Sequence, residues 1–253
     1  VAISHERKGR IICITINRPE AMNALDAETM QELGEALIDF RDDPDLWVAI
    51  ITGAGERAFC AGADLTSLVP DIVDDASRRE VTSPFGLEVW KPIIAAINGY
   101  CLAGGLALAL FCDLRIAAQN ARFSTMGAKR GILPGGGQTQ RLPRLVPLAK
   151  ALEMIFLADF VDAEEAYRIG LVNKVVPFSE LMPAAWGWAE AICENAPLVI
   201  RAGKEAVIRG VGMSLKEGLR LEQSLSTPIL KSEDIKEGIK AFAEKRKPLF
   251  KGR

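Results

Sequence analysis

Side chains able to carry chemistry are few in this chain of 253 residues. His5, near the N-terminus, is its one histidine, so no histidine pair is available for a metal and no Ser-His-Asp or Cys-His triad is expected. Cys13, Cys60, Cys101, Cys112 and Cys193 are odd in number, widely spaced and set in apolar runs, which reads as reduced thiols packed in a cytosolic interior. What remains is backbone chemistry at glycine loops. Gly53-x-Gly55-x-x-Ala58 follows an apolar run, but no helical periodicity opens at those glycines, as dinucleotide binding requires. Gly99-x-x-x-x-Gly104 continues with Gly105-Leu106 and lacks the Lys-Ser/Thr of a phosphate loop. Ala61-Gly62-Ala63-Asp64 and Ala103-Gly104-Gly105 can bring bare N–H groups to a ligand. Unpaired amides at a helix start offer donors and a positive dipole to a developing oxyanion. Tight packing of strand on helix calls for the same small residues, and spacing alone does not separate the two.

The elements that must hold these loops show in the hydrophobic pattern. The β-branched run Ile11 to Ile16 predicts a strand that stops at Asn17-Arg18-Pro19. Asp26 can cap a helix carrying Met30, Leu33, Leu37 and Phe40 on one face. Buried strands are expected at Trp47 to Thr52, Ile93 to Ile97, Leu114 to Ala117 and Leu171 to Val176, with a helix from Leu106 to Phe111 after the second glycine loop. A helix from Ala163 to Ile169 carries a capping pair, Asp162 with Glu165, and stops at Gly170. After Pro177 the pattern is helical: Glu180 to Glu194, Leu215 to Leu225 behind the Ser214/Glu217 box, and Glu233 to Arg246. The last of these places Ile235, Ile239 and Phe242 on one face, more apolar surface than a tail can bury alone. The expectation is a core over residues 1–195, a helical C-terminal region over 196–253, and an oligomer.

Composition narrows the classes. Hydrophobic residues at 49% and charged residues at 25% are ordinary globular usage and exclude a disordered or fibrous chain. Lys+Arg 31 against Asp+Glu 33 leaves a formal charge of −2, so the positive field that draws nucleic acid is missing and no nucleic-acid partner is expected. The stretch from Pro92 to Cys112 is uncharged and long enough for a membrane span. Asn98-Gly99 and Gly104-Gly105 interrupt it, and strand, turn and helix explain it better, so no membrane association is expected. The chain opens with the polar run Ser4 to Arg10 rather than a secretory pattern, and a cytoplasmic setting is expected.

Several runs resemble the enoyl-CoA hydratase/isomerase (crotonase) superfamily. They are Asn17-Arg18-Pro19 with Asn23-Ala24-Leu25, Ala58 to Leu65, Pro92 to Tyr100, Cys112 to Ala117, Gly131 to Gly137, Thr139 to Pro143, and Gly238 to Pro248. The resemblance runs in order over about residues 10 to 253. It implies an α/β fold in which ββα units wind into a spiral, a C-terminal helical trimerisation region giving a homo-trimer or dimer of trimers, and an acyl- or enoyl-CoA ligand. No metal and no cofactor beyond the CoA moiety of the substrate is implied. By position the family's oxyanion hole falls on the N–H groups of Ala63 and Gly104. Backbone at Ala24 and from Ala61 through Asp64 to Leu65 resembles the part that holds the adenine end of CoA. Phe242 and Lys245 resemble positions that cover the nucleotide, although Lys245 also fits a solvated basic tail with Arg246, Lys247, Lys251 and Arg253.

The departures are as informative. The two glutamates that hydratases of this family use fall, residue by residue, on Ala107 and Gly127, which can neither activate water nor deliver a proton. Ala103 stands where the family often has a third glycine, and Gln138 where it usually has glycine next to the pocket. Lys129 and Arg130 are most simply surface charges. Three readings follow: an enzyme of other chemistry at the same oxyanion hole, a hydratase with an unrecognised acid/base group, and a non-catalytic acyl-CoA-binding protein. Among enzyme chemistries, decarboxylation of a malonyl-type CoA asks least of the sequence, because loss of CO₂ forms the enolate directly.

Overall fold

The computed structural model describes residues 1–64 and 84–253. Its first sheet has six strands: β1 (Ile3–Lys8), β2 (Ile11–Ile16), β3 (Val48–Gly53), β5 (Ile93–Ile97), β7 (Leu114–Ala118) and β10 (Lys174–Val176), adjacent in that order. β1 pairs antiparallel to β2, and every other neighbouring pair is parallel. The second sheet joins β4 (Ala58–Cys60), β6 (Tyr100–Leu102), β8 (Arg122–Ser124) and β9 (Val161–Asp162). β3, β5 and β7 therefore each turn a corner into a short strand of the second sheet, which is the expected spiral of ββα units.

Side chains of the first sheet alternate between two cores. Ile14, Ile16, Ala49, Ile51, Ile93, Ala95 and Ile97 join one core with α1 (Ala27–Asp42) and the second sheet. Ile11, Cys13, Val48, Ile50, Ile94, Ala96 and Ile116 join the other with Leu181, Ala185 and Ala189 of α6 (Phe178–Cys193). Burial on both faces explains why β3 and β5 read as continuous apolar runs. Asp26 caps α1 as expected, its carboxylate accepting from the Thr29 N–H at 2.8 Å, and Leu33, Leu37 and Phe40 are buried beneath that helix.

The corners are stapled by asparagines. Asn98, buried between β5 and β6, donates through Nδ2 to the carbonyls of Gly53 at 2.9 Å and Ala58 at 3.1 Å, while its Oδ1 accepts from the Gly53 N–H. Asn23 donates to Ala54 and Ala58 carbonyls, and Asn120 to those of Glu56 and Asn98. Each turn of the spiral is thus tied to the one before it.

Some elements differ from the sequence expectation. The final parallel strand begins at Lys174 rather than Leu171. The N–H groups of Leu171 and Val172 both donate to the Ala166 carbonyl, and the Leu171 carbonyl accepts from Arg115 Nε at 2.7 Å. Those residues close α5 (Ala163–Arg168) behind the positive-φ Gly170 and cannot also ladder. The polar opening run forms β1, and three helices lacked a reading: α3 (Gln138–Arg141), α4 (Leu148–Leu157) and α7 (Pro197–Gly210). The other C-terminal helices are α8 (Leu215–Ile229), with its Ser214/Glu217 capping box, and α9 (Glu233–Ala243), three residues shorter than expected. Val199, Val207 and Ile208 of α7, Leu215 and Leu219 of α8, and Ile239 and Phe242 of α9 are exposed in the single chain. No described helix is long and apolar enough to cross a membrane.

Replacing Asn98 by alanine strips partners from buried carbonyls at two corners, so Asn98→Ala is expected to lower unfolding free energy by about 1–3 kcal/mol. Urea denaturation followed by circular dichroism measures this, and an unchanged midpoint would contradict the stapling role.

Candidate active site

The two glycine loops meet at the ends of β4 and β6. After β4, the chain forms an isolated parallel bridge between Ala63 and Leu25. In it the Leu25 N–H donates to the Gly62 carbonyl at 2.8 Å and the Asp64 N–H to the Leu25 carbonyl at 2.9 Å. The Ala61 N–H donates to the Met22 carbonyl, and the Gly62 N–H contacts Cys60 Sγ at 3.4 Å. The amides around Ala63 are therefore all engaged, while its own N–H donates to no described residue.

After β6 the same arrangement recurs. The Ala103 N–H donates to the Ser124 carbonyl at 2.9 Å, and α2 (Gly104–Phe111) begins at the next residue. Ala103 holds φ 46°, ψ −114° and supplies no side-chain cap, so the Gly104 N–H at the helix start is also without an acceptor among the described residues. That positive φ gives a physical reason for a glycine to be favoured at Ala103. The two loops touch through backbone: a Cβ on Gly62 (φ +96°) would lie 2.8 Å from Ala103 Cβ and 2.9 Å from the Gly104 nitrogen. A Cβ on Gly105 would overlap the Cys60 carbonyl. Two unpaired N–H groups consequently sit side by side, one on a strand extension and one at the positive end of a helix. Two donors so placed can bond one oxygen that gains negative charge.

Arg18 organises the neighbouring loop. Its guanidinium donates to the Ala24 carbonyl at 2.6 Å, pairs with Asp26 at 2.9 Å and reaches Asp64 at 3.5 Å. Burial opposes ionisation of Asp26, but its hydrogen bonds from Thr29 and the charge of Arg18 hold its carboxyl below the usual range. Ala24, Ala61, Ala63, Asp64 and Gly104 are thus brought together, whereas Leu65 lies outside the described residues. No hydrogen bond or ion pair among the described residues joins Phe242 or Lys245 to these loops. Phe242 is 87% exposed on α9 and Lys245 is exposed just beyond it. Arg18 carried no role in the sequence reading; its signal, a cation two residues after a strand and close to two aspartates in space, becomes visible only in the fold.

Ala107 lies one turn along α2 from Gly104 and is fully buried. A Cβ on Gly136 would come within 2.7 Å of Ala107 Cβ and 3.0 Å of the Phe85 ring, so this glycine turn and Phe85 flank it. Gly127 has ordinary helical torsions, φ −62°, ψ −48°. A side chain there is opposed by space and not by backbone conformation, since its Cβ would overlap the Ile132 carbonyl and lie 2.9 Å from the Pro134 ring. These neighbours do not ionise. Cys60, beside the first loop, is fully enclosed, and burial pushes its thiol up to about 12, so it is no nucleophile at neutral pH. Lys129 and Arg130 are exposed, Lys129 pairing with Asp159. Among the described residues no cluster of potential metal ligands occurs. An open groove of about 600 Å³ between Arg10, Trp47 and the tail at Lys247 to Lys251 contains none of the site residues.

A methyl at Gly62 forces the loops apart. Gly62→Ala is expected to weaken acyl-CoA binding tenfold or more and to cost about 1–3 kcal/mol of stability. Calorimetry with acyl-CoA and urea unfolding measure the two effects; unaltered affinity would remove the loops from the site.

Comparison with known proteins shows the family and the fold. The family model for enoyl-CoA hydratase/isomerase matches residues 6–253. An (E)-benzylidenesuccinyl-CoA hydratase of Thauera aromatica is 44% identical over 253 residues, covering 99% of each chain. A carnitinyl-CoA dehydratase of Salmonella enteritidis is 45% identical over 256 residues, covering 98% of this chain and 97% of that one. The crystal structure of an enoyl-CoA hydratase from Bacillus anthracis superposes with a TM-score of 0.95 at 36% identity, covering 100% of both chains. Full-length coverage at these identities, on a spiral whose two glycine loops present free amides, makes the chain a member of the enoyl-CoA hydratase/isomerase family with the crotonase fold.

Proposed function

We propose that this protein binds an acyl- or enoyl-CoA and stabilises the thioester enolate with the N–H groups of Ala63 and Gly104. The observation that carries the reading is the pair of unpaired amides held side by side by the contact of Gly62 with Ala103 and Gly104. Losing one donor of such a pair typically costs about 10²–10³ in rate. Ala24, Ala61, Asp64 and Leu65 would hold the adenine end, with Phe242 and Lys245 covering the nucleotide in a homo-trimer or dimer of trimers. The exposed apolar face over α7, α8 and α9 supports that assembly.

The reaction within this class is set by what surrounds the acyl Cα and Cβ. By resemblance the usual hydratase glutamates correspond to Ala107 and Gly127, and the non-ionising groups beside them supply neither water activation nor proton delivery. The enolate-stabilising step is therefore retained, while ordinary hydration of a simple enoyl-CoA is slow. The curated relatives named above are a hydratase and a dehydratase, which supports addition or elimination of water carried by a different acid/base group as the second reading.

Wild-type protein is expected to hydrate crotonyl-CoA slowly, measured as loss of the enoyl thioester absorbance. Ala107→Glu puts a carboxylate at a fully buried position, where the helix dipole's gain of about 0.3–1 kcal/mol offsets only part of a packing cost of about 1–3 kcal/mol. Gly127→Glu must displace the 132–134 segment and should cost about 1–3 kcal/mol. Either single change should add little rate, and the double variant more than their sum, since the two groups act as a unit. Fast hydration by the wild type would show that the chain carries its own acid/base pair.

A further inference from the structure

The groove of about 600 Å³ beside Trp47 lies where β2 and β3 begin, at the end of the first sheet away from the two glycine loops. One wall is Arg10 with Trp47, joined by the Trp47 N–H donating to the Arg10 carbonyl at 2.7 Å. The Arg10 guanidinium lies over the Trp47 ring, 3.6 Å from its centroid. That stacking fixes the plane of the guanidinium and leaves its N–H edge turned to an acceptor. The tail from Lys247 to Lys251 forms another wall. Asp234 of α9, itself buried, pins it by accepting from the Lys251 N–H at 2.7 Å and the Gly252 N–H at 2.8 Å. Cys193 and Glu194, where α6 ends, complete the lining.

The charges here do not balance. Arg10, Lys247 and Lys251 line the groove against one carboxylate, Glu194, which pairs with Lys247 at 3.0 Å. Among the described residues no carboxylate pairs with Arg10 or with the Lys251 ammonium. Between the cations the wall is apolar: Leu249 is 74% exposed, and Phe250 packs on the second core. A groove of this size, apolar with a few convergent charges, has the make-up of a small-molecule site.

We propose that this groove binds a free carboxylate carried on an apolar chain, such as a medium-chain fatty acid. The planar carboxylate accepts two parallel N–H bonds from the stacked Arg10 fork, with Lys251 adding charge, and the chain lies along Leu249 and Phe250. The groove shares no residue with the glycine loops, so this site stands apart from the thioester reading.

The test is calorimetry of the purified protein with hexanoate, decanoate, decylammonium and inorganic phosphate, all below micellar concentrations. Decanoate should bind at one site per chain, and affinity should rise about threefold to fourfold per methylene from hexanoate. Decylammonium lacks the anion and phosphate the chain, so each should bind at least about tenfold more weakly than decanoate. Arg10→Leu, which keeps an apolar side chain on Trp47, should weaken decanoate about tenfold or more. Cys193 reports on the groove in the wild type, because the other four cysteines are buried. Bound decanoate should abolish its alkylation by a maleimide, a readout that stands even if Arg10→Leu misfolds. Absence of decanoate binding, an affinity unchanged in Arg10→Leu, or a Cys193 that stays reactive overturns the proposal. So does phosphate binding as tightly as decanoate, which would mean a plain anion site, and so does displacement of decanoate by butyryl-CoA, which would put it in the acyl pocket.

Discussion

The close backbone contact between the ends of β4 and β6 is the constraint on which the site depends. Gly62 has no room for a Cβ against Ala103 and Gly104, and Gly105 none against the Cys60 carbonyl. Ala61, Gly62, Asp64 and Ala103 around them are bonded elsewhere, while the Ala63 N–H and the first-turn amides that begin at Gly104 have no acceptor among the described residues. An unpaired donor that is held rigidly costs stability in the free protein and becomes useful only when negative charge appears in front of it.

The rest of the fold serves to keep that contact in register. Asn98, Asn23 and Asn120 bind successive corners of the spiral to one another, so the second-sheet strands cannot slide relative to the first. Asp113 accepts from the Ile93 N–H at 2.8 Å and pairs with Lys204 of α7 at 2.7 Å, which fastens the helical C-terminal part to the end of α2. Burial raises the Asp113 carboxyl, and Lys204 and the Ile93 amide work against that rise. Arg115, itself buried, donates to the Ala109, Cys112 and Leu171 carbonyls and so ties the same C-terminal end of α2 to the segment before β10. The helix that supplies the Gly104 amide is thus held at its C-terminal end by Asp113 and Arg115, while no side chain caps its start.

Much of this was legible in the sequence where one physical signal acts alone. The runs Ile11 to Ile16 and Ile93 to Ile97 are buried on both faces, so composition alone marks them as strands. Asp26, Asp162 and Ser214 cap helices because each stands three residues before the amide it accepts from. β1 was hidden because only Ile3 of its six residues is buried, and its charged edge looks like a loop. β4, β6 and β8 have three residues each, too few to show a period. At the site, the glycine loops could be read from residue type, but the Arg18 clamp joins Asp64 from far along the chain and needed the fold.

The central claim, that the Ala63 and Gly104 amides polarise a thioester carbonyl, is tested most directly by isotope-edited infrared spectroscopy of bound acyl-CoA carrying ¹³C at that carbonyl. Two backbone donors on one oxygen weaken the C=O bond, so the stretch should fall to lower frequency on binding, with a narrower band than in water. A band at the solution frequency, or one shifted upward as in an apolar cavity, would contradict the account.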